Sequence, residues 1–107
     1  MADYIVRARL KPARAAELRE RLAEGAFDHM MPFGPGLADA LERAHRDPET
    51  GEAVWEVRCF CTPPLAAERK AILDHYFDQI TTQEVTRGQG WQQLHDLPSL
   101  WESGSEE

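Results

Sequence analysis

The chain has 107 residues and a mass of 12.2 kDa, is 42% apolar and 29% charged, and carries a formal charge of −7, which fits one domain with a real core and excludes a disordered chain. A sequence pI near 5.0 argues against a nucleic-acid binder whose affinity rests on neutralised phosphates. No apolar run exceeds three residues where a membrane span needs about 20, and Met1-Ala2-Asp3-Tyr4 lacks the basic start and apolar stretch of a secretory signal, so the expectation is a cytoplasmic protein without membrane or nucleic-acid partners.

Tyr4 to Leu10 alternates, with Tyr4, Val6, Ala8 and Leu10 on one side and Ile5, Arg7 and Arg9 on the other, which predicts a half-buried strand. Pro12 suits a first helical turn, Ala15, Leu18 and Leu22 recur at helical spacing, and Gly25 ends the helix. Residues 25–36 mix three Gly and two Pro with Phe27, Met30, Met31 and Phe33, a loop expected to fold back onto the domain. Leu37 to Arg46 has a helical composition, but Asp47-Pro48-Glu49-Thr50-Gly51 and the strand-like Ala53 to Cys61 follow it, so the expectation is a hairpin. Its register would set Asp47 against Glu52, His45 against Val54, Arg43 against Glu56 and Leu41 against Arg58, with Glu42 as a misfit.

Cys59 and Cys61, two apart on that strand, share a face and are poorly placed to bridge each other, which predicts reduced core thiols. Thr62-Pro63 opens a second helix expected to run to about Ile80, with Leu65, Ile72, Leu73, Tyr76, Phe77 and Ile80 as its apolar stripe. Thr81 to Arg87 predicts a last strand, broken at Gly88-Gln89-Gly90. Trp91, Leu94, Leu97, Leu100 and Trp101 then mark an arm that packs on its own domain or on a neighbour.

The predicted order strand, helix, strand, strand, helix, strand is the ferredoxin-like βαββαβ sandwich, an α+β fold with two helices on one face of a four-stranded antiparallel sheet. Residues 1–91 would form this domain and 92–107 a C-terminal packing arm and polar tail. The helix-covered face would take Tyr4, Val6, Ala8, Leu10, Trp55, Val57, Cys59 and Cys61. In topology, over about residues 4–91, the chain resembles the dimeric α/β-barrel superfamily, which includes YciI-like proteins and antibiotic-biosynthesis monooxygenases. The resemblance implies a homodimer with a cavity that takes a small organic ligand, and no single chemistry. YciI-like proteins carry a His and Asp pair in the cleft; Asp28 with His29 and Asp39 with His45 are the candidates here, and the residues do not choose between them.

The opposite sheet face would carry Arg7, Arg9, Asp39, Leu41, Arg43, His45, Glu56, Arg58 and Phe60. One reading is ion pairing, Arg43 with Glu56 and Arg7 or Arg9 with Glu84, in a wet dimer interface. The other is a pocket in which Arg7, Arg9, Arg43 and Arg58 hold a small polar or anionic ligand, with His45 and Glu56 as the available acid/base pair. His29 suits a pocket mouth, whereas His75 reads as solvent-facing and His95 belongs to the arm. The histidines and cysteines lack metal-ligand spacing, no glycine-rich loop matches a nucleotide or phosphate site, and the serines lie in the last nine residues, so no metal, cofactor or serine nucleophile is expected.

Two functions remain: a homodimer binding a small anionic ligand, with a minor-pathway enzyme as its catalytic form, or a noncatalytic interaction module using the charged face and the Trp91–Trp101 arm. Residues 1–46 hold eight basic and seven acidic side chains and residues 47–107 four and twelve, so the net acidity does not disfavour a small anion near the arginines.

Overall fold

The computed structural model describes residues 2–30, 34–59 and 65–101. Strand β1 (Ala2–Leu10) is followed by a single 3-10 turn at Pro12–Arg14 and helix α1 (Ala15–Glu24), which closes at Gly25 in the left-handed conformation, φ 70°. Helix α2 (Gly34–Glu42), strand β2 (His45–Arg46) and strand β3 (Ala53–Cys59) come next. A continuous helical segment over 66–76, here α3, has a five-residue π stretch, Arg69–Leu73, between two short α turns. Strand β4 (Phe77–Val85) and helix α4 (Gln89–Leu94) complete the order. The fold is α+β, with one open antiparallel sheet in the order β2-β3-β1-β4.

Alternation in β1 and β3 sorts the side chains as expected. Val6, Ala8, Trp55, Val57 and Cys59 are buried on the helix-covered face beside Leu18, Leu37, Leu41, Ile72 and Leu73, with Tyr4 and Leu10 half-buried against the same cluster. Phe27 from the loop is buried there too, edge-on to Tyr76 at 6.5 Å, and the Tyr76 hydroxyl donates to Glu17 Oε2 at 3.0 Å. Met31, Phe33, Phe60, Cys61, Thr62 and Pro63 lie outside the described residues.

Two boundaries differ from expectation. The stretch 37–46 is not a long hairpin arm: Leu37, Ala38, Ala40 and Leu41 repeat at helical spacing and are buried as one face of α2, and only His45 and Arg46 pair with β3. Strand-like context lost to helical composition, and Glu42, a misfit on a strand, is exposed on the helix. The pairings of Asp47 with Glu52 and His45 with Val54 do occur, but Arg43 and Leu41 belong to the helical end and face neither Glu56 nor Arg58 as strand partners.

The second helix stops at Tyr76 instead of Ile80. Phe77 already pairs with Leu10, and Lys11 N–H donates to the Tyr76 carbonyl at 2.8 Å, so β1 captures the chain as a strand, where Ile80, Thr81 and Thr82 are favoured. A bulge interrupts the β1–β4 register between Arg7 and Arg9, with Gln79 at φ 54° and its side chain accepting from Arg9 Nε at 3.0 Å.

The C-terminal arm packs on its own domain. Leu94 is buried with Ile5 and Val54 on the sheet face opposite the main core. Further along, Arg46 N–H donates to the Pro98 carbonyl and Leu100 N–H to the Ala44 carbonyl, both at 2.8 Å, and Trp101 Nε1 donates to the Leu41 carbonyl at 2.7 Å. Among the described residues no helix is long and apolar enough to cross a membrane.

Candidate functional site

Because β2 ends after two residues and the chain before it is helical, the outer half of β3 has, among the described residues, a strand on one side only. Beside that half lies a cleft of about 610 Å³, within the range of small-molecule sites. Glu56, Val57, Arg58 and Cys59 form one wall. Leu37, Asp39 and Ala40 of α2, with Arg43 just past it, form another. Ala67 and Glu68 of α3 line it too, with Arg87 and Gly88 from the β4–α4 turn and Trp91 from α4.

The cleft holds three guanidiniums. Arg58 Nε meets Asp3 Oδ1 at 3.4 Å, and Arg43 Nη1 meets Asp39 Oδ2 at 3.3 Å while its Cζ lies 4.3 Å from the Trp91 ring centroid. Arg87 makes neither an ion pair nor a hydrogen bond through its guanidinium with any described residue.

Glu56 is employed differently from the expectation. The residue is 6% exposed, and its carboxylate accepts the main-chain N–H groups of Gly88 at 2.8 Å and Trp91 at 3.1 Å and so caps the start of α4. Gly90 is required by that approach, since a Cβ there would sit 2.6 Å from Glu56 Oε1 and 2.8 Å from Ile5 Cγ1. Sequence reasoning identified Glu56 as a site residue but not as a cap, because its partners lie more than thirty positions away.

His45 is half-buried with its ring 6.0 Å from that of Trp91, its Nδ1 is buried without a hydrogen-bond partner among the described residues, and it is not among the residues that line the cleft. Burial, and then the Arg43 charge, hold its pKa below the usual imidazole value, so the neutral ring is favoured. Arg7 is engaged by Asp47 at 3.1 Å and Glu52 at 3.6 Å, not by Glu84. The N–H of Glu49 and, after it, Arg7 lower the Asp47 pKa. Arg9 reaches Gln79 and the Thr50 carbonyl. Of the six candidate site residues, the fold therefore gathers Arg43, Glu56 and Arg58 at the cleft and leaves Arg7, Arg9 and His45 outside it.

Arg87, Trp91 and Glu68 are among the cleft residues that sequence reasoning missed as a site. Glu68 is 2% exposed, and its Oε1 lies 3.7 Å from the Cys59 sulfur, which also accepts the Leu65 N–H at 3.2 Å. A charged residue within the apolar stripe of the second helix was the available signal. Asp28 and His29 are both exposed on the loop after α1, away from the cleft.

Comparison of the chain with protein-family models, with curated proteins and with solved structures gave no match.

Proposed function

We propose that this protein binds a small organic anion with an apolar or aromatic body in the cleft beside β3. The observation that carries the reading is the pairing pattern among the guanidiniums: Arg43 and Arg58 have carboxylate partners, whereas Arg87 lines the same cleft with none among the described residues. A ligand carboxylate completes Arg87 by a charge-assisted hydrogen bond, and Leu37, Ala40, Val57 and Trp91 supply apolar walls for the rest of it.

The strand order β2-β3-β1-β4 with antiparallel neighbours is that of the ferredoxin-like sandwich, which supports the resemblance to dimeric α/β-barrel proteins. In this reading two copies meet over the sheet face that α4 leaves uncovered, near Arg7 and its register partner Thr81 and near Gln83, which lies opposite Ile5. The reading of the chain as a purely noncatalytic interaction module loses one of its two supports, since the Trp91–Trp101 arm is spent on the chain's own fold.

Isothermal titration with 3-phenylpropanoate tests the cleft directly. Binding that disappears in Arg87→Ala and persists in Arg9→Ala supports the proposal; binding that is equal in both variants and wild type removes it. Sedimentation equilibrium addresses the dimer separately, and a monomer at all concentrations rejects it.

A further inference from the structure

The hairpin register determines where the main-chain groups of β3 point. Asp47 N–H donates to the Glu52 carbonyl, and His45 lies opposite Val54, while Arg46 N–H and the Ala44 carbonyl are bonded away from β3, to Pro98 and Leu100. The main chain of Glu52 and Val54 therefore faces β2, and by the two-residue period of an antiparallel ladder the N–H and C=O of Glu56 and Arg58 face the same way. The alternate residues, Trp55, Val57 and Cys59, direct theirs at β1, opposite Val6, Tyr4 and Ala2.

Beyond His45 no strand among the described residues receives Glu56 and Arg58. Among the described residues no turn, loop or side-chain hydrogen bond reaches the main chain of either on that edge, although the helical end of α2 passes close by. Both residues line the cleft. A strand edge whose donors and acceptors have no such partner among the described residues, walled in beside helices, matches the mode in which an extended peptide is added to a sheet.

Resting on the cleft reading above, we infer that the anion is a short extended peptide with a free C-terminal carboxylate, which pairs with the β3 edge at Glu56 and Arg58 and places its carboxylate at Arg87. Charge favours this occupant over a neutral peptide, because Arg87 is the cleft guanidinium without a carboxylate partner among the described residues. It also disfavours an acidic side chain beside the buried Glu68. The space suits two or three residues: Glu56 to Cys59 is four strand residues, roughly 13 Å at a strand's rise.

The test uses the full chain with three probes, the dipeptide acid acetyl-Ala-Phe, the same molecule methylated on both peptide nitrogens, and 3-phenylpropanoate, which keeps the ring and carboxylate but has no amide. Acetyl-Ala-Phe is expected to bind about tenfold or more tightly than the other two, the worth of one or two net hydrogen bonds, and to slow exchange of the Glu56 and Arg58 amide protons in NMR spectra. Equal affinity for all three, with binding still dependent on Arg87, overturns the peptide inference and leaves the anion site standing. No Arg87-dependent binding of any probe overturns both. In the free protein the amide protons of Glu56 and Arg58 are expected to exchange about tenfold faster than those of Trp55 and Val57, and equal protection would mean that the edge is covered and the inference wrong.

Discussion

Ala53 and Val54 have a strand on either side, β1 and β2, and Val54 is roofed by Leu94 from the arm. Two residues further along the same strand, Glu56 and Arg58 have β1 on one side and a cleft on the other. The first half of β3 is thus held by backbone pairing and apolar cover, while the second keeps its edge available because α2 stands where a longer β2 would have run. A strand edge can stay unpaired in a stable domain when helices wall it off from edge-to-edge association. The two halves should accordingly respond to different perturbations, the closed half in stability and the open half in binding.

The largest stability effect is expected at α2, whose docking keeps the edge open. Leu41 is fully buried, and Leu41→Ala should cost about 2–5 kcal/mol in urea unfolding; a loss below about 1 kcal/mol would show that α2 is not firmly docked. Glu56→Ala should cost about 1–3 kcal/mol, because two main-chain donors at the start of α4 lose their acceptor, and it should accelerate amide exchange at Gly88 and Trp91. Gly90→Ala should cost about 1–3 kcal/mol through overpacking against Glu56 and Ile5, without exposing those donors.

Acid should reveal the His45 end next. The folded pKa of His45 lies below its unfolded value, so the unfolded chain takes up the proton first; stability is full above about pH 6.5 and falls as the pH drops through that window. His45→Gln should remove this part of the profile in thermal unfolding, and an unchanged profile would exclude His45 as its source. Asp47, whose folded pKa is also lowered, adds a separate loss below about pH 4. Smallest in stability is Arg87→Ala, expected to shift unfolding by no more than about 0.5 kcal/mol while abolishing carboxylate binding. A large loss of stability there would place Arg87 in the fold and not at a ligand site.

Much of the architecture was legible in residues that repeat with a period. The alternation in β1 and β3 identified the buried faces, and Gly25 marked the end of α1. The stretch 37–46 was misread because its helical composition conflicted with the turn and strand that follow it, and local signals do not rank one another. The candidate site was legible only in part: Arg43, Glu56 and Arg58 were chosen for charge on an expected sheet face, and they do meet at the cleft, but Arg43 arrives from a helical end.

The sequence by itself determined the apolar faces, the turn at Asp47–Gly51 and the need to bury the tryptophan-bearing arm, since these follow from side-chain period, turn chemistry and transfer free energy within short windows. Only the tertiary structure decided that β2 is two residues long, that Glu56 caps α4 and that Arg87 reaches the cleft. Each of those depends on main-chain groups from segments far apart in sequence competing for one edge of β3, and the outcome of that competition is written in no single segment.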